Sequence, residues 1–96
     1  AETDTIQKLV EYAKEQGSGH AEMLYMTYSK LANKMAGVKN RDEATVKQLN
    51  DLSLMGNIIL HEIDLGIMKG KHYKEIYKDC KNRLETVKDL AYLEIA

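Results

Sequence analysis

The segment that begins at Leu52 and ends at Met68, LSLMGNIILHEIDLGIM, decides the fold of this 96-residue chain. On a helical wheel of about 100° per residue, its apolar side chains form two separate faces. The broad face consists of Leu52, Met55, Gly56, Ile59, Leu60, Ile63 and Ile67. A second stripe lies roughly opposite and consists of Leu54, Ile58 and Leu65. Because an ordinary surface helix is apolar on one face only, we expect this helix to lie at the centre of the fold, with its second stripe covered by another helix or by a partner.

The composition favours helices throughout. Proline, tryptophan and phenylalanine are absent, and charged residues make up 30% of the chain. Runs of β-branched and aromatic residues with period-two alternation, which are typical of strands, are missing. The length suits one domain, and no linker-like segment divides it. We therefore predict a single all-α domain over residues 1–96.

Glycines and capping residues divide the chain into four predicted helices. They run from Thr3 or Asp4 to Gly17, from His20 to Ala36, from Asp42 to Lys69, and from Lys71 to Glu94. A tight connection around Gly70 joins the last two, so we expect a long antiparallel helix 3/helix 4 hairpin. The two shorter N-terminal helices should cross this hairpin.

The length of the third predicted helix bears on the overall shape of the molecule. Asn40 or Asp42 is its expected N-cap. As a continuous helix it would be about 42 Å long, whereas a compact domain of this size has a radius of gyration of only about 12 to 13 Å. Either the helix breaks at Gly56 or Gly66, or the molecule is elongated. We interpret Gly56 as a point where another helix crosses closely.

No motif predicts an enzyme, a metal site or a cofactor. His61, Glu62 and Asp64 have metal-binding side chains, but the HExxH pattern needs a second histidine at position 65, where this chain has leucine. Cys80 falls on the apolar face of the fourth helix, where cysteine usually acts as a small core residue. No phosphate-binding loop or serine-centred motif occurs. We expect a protein that is not an enzyme and needs no cofactor.

The net charge and the single cysteine bear on where the protein is located in the cell and on what it binds. Fourteen basic and 15 acidic residues nearly cancel, so no overall field attracts nucleic acid or an anionic membrane. The uncharged run over residues 52–60 is shorter than the roughly 20 residues that a membrane span needs. A single cysteine excludes an intrachain disulfide and suits a reducing compartment, and the N-terminus has no secretory signal. These features predict a cytoplasmic protein that does not bind membranes.

A surplus of apolar side chains predicts protein binding. Besides the second stripe, several apolar residues do not fit on the main helix faces. The candidate interface residues are Leu54, Ile58, Leu65, Met23, Met26, Tyr92 and Leu93, with Tyr12 as a further surplus residue. Methionine and tyrosine adapt well to protein interfaces. Because two-fold dimers are the commonest soluble oligomers, we predict a homodimer first and another protein partner second.

The alternative is a helix-turn-helix DNA-binding regulator that uses the segment from Ser29 to Leu49, SKLANKMAGVKNRDEATVKQL. Its candidate phosphate contacts are Lys30, Lys34, Lys39 and Arg41. The spacing departs from the motif, because the stretch from Val38 to Val46 is about three residues too long. The second helix would also begin at Asp42 and Glu43, whose carboxylates repel phosphates.

The segments NRDEATVKQLN at residues 40–50 and GKHYKEIYKDC at residues 70–80 carry a resemblance. Over about half of the chain, from Leu31 to Tyr77, the sequence resembles small helical regulatory proteins of prophages in Gram-positive bacteria, often described as antirepressor-like. The resemblance includes no catalytic motif. It implies a regulatory protein that binds another protein, such as a repressor, or an accessory domain beside a DNA-binding domain.

Overall fold

A computed structural model describes the backbone of residues 2–95 and the side chains of residues 4–40 and 42–89. Four α-helices account for most of this part: α1 (Glu2–Glu15), α2 (Leu24–Ala36), α3 (Val46–Met68) and α4 (Tyr73–Ile95). Two short 3-10 helices, Ala21–Met23 and Arg41–Glu43, precede α2 and α3. The described backbone contains no strand, and the all-α prediction is confirmed.

The hairpin of α3 and α4 is the largest helix pair, and α1 and α2 pack against α3. Helix α3 continues without a break through Gly56 and Gly66. The molecule measures 43 × 27 × 20 Å and has a radius of gyration of 13.8 Å. Of the two shapes that the sequence left open, the elongated one with a continuous third helix is therefore observed.

The start of α3 differs from the prediction, because Thr45 is its N-cap instead of Asn40 or Asp42. The Thr45 hydroxyl accepts a hydrogen bond from the Gln48 amide at 3.1 Å, and the Gln48 side chain accepts one from the Thr45 amide at 2.9 Å. This capping box satisfies two amides that the first helical turn leaves unpaired. Gln48 Nε2 also donates to the carbonyl oxygen of Gly37 at 3.0 Å, which places the start of α3 beside the end of α2.

The broad apolar face of α3 forms the centre of the core, as predicted. Met55, Ile59 and Ile63 are buried. They pack with apolar residues of the three other helices, among them Leu9, Val10, Tyr28, Leu31, Ile76, Cys80 and Leu84. Cys80 is fully buried, which confirms its role as a small core residue. Burial raises the pKa of its thiol to about 12, with a smaller contribution from the Glu62 carboxylate.

None of the helices that the structure describes combines the length and the apolar character that crossing a bilayer requires.

Candidate functional site

An open groove of about 720 Å³ runs between α2 and α3 and ends at the start of α1. Its apolar lining consists of Ile6, Ala32, Leu49, Leu52, Ile59 and Leu60. Polar or small residues border it, including Ser29, Asn33, Ser53, Gly56 and Asn57. A concave surface with an apolar lining and a few polar groups is typical of a binding site.

The position of α1 explains why this groove is open. The polar contacts of α1 with the hairpin lie at one end of the molecule. Lys8 Nζ donates to Asp64 at 2.9 Å, and the Tyr12 hydroxyl donates to the carbonyl oxygen of Lys71 at 2.6 Å. From α1, only Thr5 and Ile6 are among the described lining residues. Toward Leu49, the described walls of the groove come from α2 and α3 alone.

One buried polar atom beside the groove lacks a partner. Asn33 lines the groove, and its Oδ1 atom is buried without a hydrogen bond among the described residues. An unpaired buried acceptor costs about 1 to 3 kcal/mol. If the Asn33 amide rotated toward the groove, a hydrogen-bond donor there would remove this cost, so Asn33 favours an occupant with a polar group.

A second buried polar atom belongs to the core. The Tyr28 hydroxyl also lacks a hydrogen bond of good geometry, although it lies beside the Cys80 thiol. Burial, with a smaller contribution from the interaction with Cys80, raises the pKa of Tyr28 well above its ordinary value. Its ring packs edge-on against the ring of Tyr77 in α4, with 5.6 Å between the centroids. This contact holds α2 and α4 together.

The predicted second stripe of α3 is covered unevenly. Leu54 is 48% exposed, whereas Ile58 is half-buried and packs against the core. Leu65 is half-buried in a second cleft, of about 370 Å³, which is bordered by Glu62 and Arg83. Part of the stripe is therefore covered within the chain, and the three residues do not form one continuous surface.

The remaining predicted interface residues lie elsewhere. Met23 and Met26 are each 55% exposed at the start of α2. Neither residue lines the groove or the second cleft. The side chains of Tyr92 and Leu93 lie outside the described residues.

Sequence reasoning missed Leu49, which is 42% exposed and lines the groove. A signal for it was present, because Leu49 lies three residues before Leu52 and continues the broad face by one helical turn. Ser53 and Asn57 were missed because polar residues at the edge of an apolar face look like ordinary solvent contacts. They line the groove only because α2 packs beside them.

The predicted helix-turn-helix segment has a long connection. Residues 37–45, nine in all, separate α2 from α3, whereas the motif has a turn of about three to four residues. Lys30, Lys34 and Lys39 are exposed. The side chain of Arg41, the fourth predicted phosphate contact, lies outside the described residues.

The residues that suggested metal chemistry have other contacts. Glu62 accepts a hydrogen bond from Arg83 Nε at 3.0 Å, and Asp64 pairs with Lys8. His61 is exposed. In the part of the chain with described side chains, no three histidine, cysteine, aspartate or glutamate residues are grouped so that they could hold a metal ion.

Comparison with known proteins adds no relationship: no protein-family model, curated protein or solved structure matches this chain.

Proposed function

We propose that this chain is a non-enzymatic helical module that acts through protein contacts, and that the α2–α3 groove receives the same groove of a second copy in a homodimer. The observation that carries the proposal is the open groove itself. Its lining mixes leucines with polar side chains, a combination that protein–protein interfaces share, because as a whole they are only about as apolar as the remaining protein surface. The exposed Leu49 and the unpaired Asn33 acceptor both fit a surface that is completed by a partner.

The order of residues along α3 supports a second copy as the occupant. Along the groove side of the helix, one row consists of Leu49, Ser53, Gly56 and Leu60, which reads large, small, small, large, and Leu52 and Asn57 lie beside it. About a two-fold axis midway between Ser53 and Gly56, two antiparallel α3 helices would place the small residues opposite each other at the crossing. The leucines would meet on either side of it. This self-complementarity is what a two-fold interface requires.

The same arrangement provides a partner for Asn33. Because Gln48 contacts Gly37, and α2 and α3 run in opposite directions, Asn33 lies at about the level of Leu52. The two-fold axis places the partner subunit's Asn57 opposite Leu52. An amide donor would then reach the neighbourhood of the Asn33 Oδ1 atom, which has no hydrogen bond to residues 4–40 or 42–89.

The experiment measures mass in solution at micromolar concentration by size exclusion with light scattering. The expected mass is twice the 10.9 kDa of one chain. Ser53 is exposed in the free chain, so Ser53→Arg should keep the fold and yield a monomer by placing two arginines at the crossing. Asn50→Arg is the matched control, because Asn50 is exposed on α3 and outside the groove. A monomeric parent chain, or equal masses for both variants, would refute the proposal.

We further propose that the protein is a cytoplasmic regulator encoded by a prophage. The resemblance at residues 40–50 and 70–80 supports this role, and the proposed protein-binding groove is compatible with it. Identification of the neighbouring genes tests it: a repressor or integrase gene beside this one favours the hypothesis, and metabolic neighbours contradict it.

A further inference from the structure

Lysines without ion pairs are concentrated on α2 and α4. We call Lys30, Lys34, Lys74, Lys78, Lys81 and Lys88 the lysine face; all six are exposed, and none forms an ion pair with a residue whose side chain the structure describes. On the other side of the molecule, lysines pair with acids. Lys8 contacts Asp64 at 2.9 Å, and Lys47 contacts Asp51 at 2.8 Å. The chain is nearly neutral as a whole, but its unpaired positive charge is segregated.

The contact between Tyr28 and Tyr77 joins the two groups of lysines. It places α2 beside α4, and the two helices are parallel because each is antiparallel to α3. Lys74 and Lys81 lie three residues before and four residues after Tyr77, so they flank it on the same side of α4. Lys88 follows one heptad later. This row extends over about 21 Å.

Lys30 and Lys34 form a second row on α2, next to the row on α4. The groove occupies the side of α2 that carries Ser29 and Asn33. Lys30 follows Ser29 and Lys34 follows Asn33, so each lysine is turned about the helix axis by about 100° away from the groove. Packed helices are about 8 to 10 Å apart, so two roughly parallel rows of ammonium groups cover one side of the molecule.

The local charge on this side is positive. Helix α2 contains no acidic residue, and Glu85 is the acid that lies within the α4 row. Glu75 and Asp89 are exposed on the same side of that helix as Lys78. Six positive charges of the lysine face therefore oppose the three negative charges of Glu75, Glu85 and Asp89.

We infer that the lysine face binds the phosphate backbone of duplex nucleic acid, without base recognition. Lysine carries a point charge on a flexible side chain, so it can contact phosphate groups at different positions along a backbone. Recognition of a carboxylate in a fixed orientation usually uses the planar guanidinium group of arginine, which forms two parallel hydrogen bonds. Lysine is also depleted at protein–protein interfaces, where aromatic residues and arginine are enriched. Met23 and Met26 are exposed at the start of the α2 row, one to two turns before Lys30, and the rest of the surface carries lysines; this favours a nucleic acid over an acidic protein. This surface is separate from the groove, so the inference does not depend on the proposed dimer.

The experiment measures fluorescence anisotropy with a labelled 20-bp duplex over a salt series. With about four phosphate contacts, affinity should fall by about 10²-fold between 50 and 200 mM salt. The double variant Lys74→Gln/Lys81→Gln should weaken binding at low salt and reduce the slope of log affinity against log salt by about 1.8.

The matched control is Lys8→Gln/Lys47→Gln, which removes the same charge from exposed, paired lysines elsewhere. Its salt slope should equal that of the parent chain, and circular dichroism checks that both variants are folded. Three results would overturn the inference: no duplex binding at low salt, equal losses in the two double variants, or tighter binding of a polyglutamate peptide than of the duplex.

Discussion

Gly66 of α3 lies so close to Ile76 of α4 that a Cβ atom at position 66 would stand 2.6 Å from Cγ1 of Ile76. Both residues are buried. The contact sets how closely the two halves of the hairpin approach, and any larger residue has to displace a core side chain.

Gly66→Ala should therefore destabilise the fold. Overpacking a core costs about 1 to 3 kcal/mol, which exceeds the roughly 1 kcal/mol that alanine gains over glycine inside a helix. Urea unfolding followed by circular dichroism measures the difference. Gly19→Ala is the control, because no atom lies within 4 Å of a Cβ at Gly19. Equal stability of the parent chain and Gly66→Ala would contradict the close contact.

The N-cap of α3 can be tested in the same way. Thr45→Ala removes the hydroxyl that accepts from the Gln48 amide and should lower the free energy of unfolding by about 1 kcal/mol. Asn40→Ala removes only the acceptor for the amide of Asp42, in the short 3-10 helix, and should cost less. A larger loss for Asn40→Ala would show that the helix boundary is set earlier in the chain.

The buried Cys80 thiol should make stability depend on pH in alkaline solution. The folded protein holds the pKa of this thiol at about 12, whereas an unfolded cysteine titrates near 8.5. Between these values the unfolded chain binds fewer protons, so stability falls as pH rises. From pH 8 to pH 10 the expected loss is about 2 kcal/mol. Cys80→Ala should flatten this slope, although it lowers stability at neutral pH; an unchanged slope would assign the effect to other groups.

The contribution of an ion pair to the stability of the fold should depend on how deeply its side chains are buried. The side chain of Glu62 is only 11% exposed where it meets Arg83, so Arg83→Met leaves a mostly buried carboxylate without its partner and should cost about 1 to 3 kcal/mol. Lys8→Met breaks an exposed pair with Asp64 and should cost less than about 1 kcal/mol. Thermal unfolding of the two variants compares them directly, and similar losses would argue against the burial explanation.

A substitution of Asn33 tests both the stability of the isolated chain and the proposed dimer. Asn33→Leu removes the buried acceptor that has no hydrogen bond, so the isolated chain should be equally stable or slightly more stable. Dimerisation should weaken, because the donor from the partner subunit loses its acceptor. Unfolding of dilute protein measures the stability of the isolated chain, and sedimentation equilibrium measures the dissociation constant of the dimer. A clear loss of stability in the dilute chain would indicate that Asn33 is satisfied within its own fold.

Much of the fold could be predicted from periodicity. Met55, Ile59 and Ile63 of the broad face of α3 became core residues, Cys80 became a buried residue, and Gly37 marked the end of α2. The site was less predictable. Ile58 was a candidate interface residue, yet it packs against the core, while Leu49 and Ser53 became groove residues that were not among the predicted site residues.

The sequence by itself determined the helices, their apolar faces and the antiparallel hairpin, because helical geometry and capping act over a few neighbouring residues. Only the tertiary structure decided that Gly66 is a point of close approach and that α1 leaves the groove beyond Ile6 open. It also brought the lysines of α2 and α4 to one side of the molecule. These features depend on how whole helices cross, and crossing is set by side chains that are distant in sequence and meet only in the packed core.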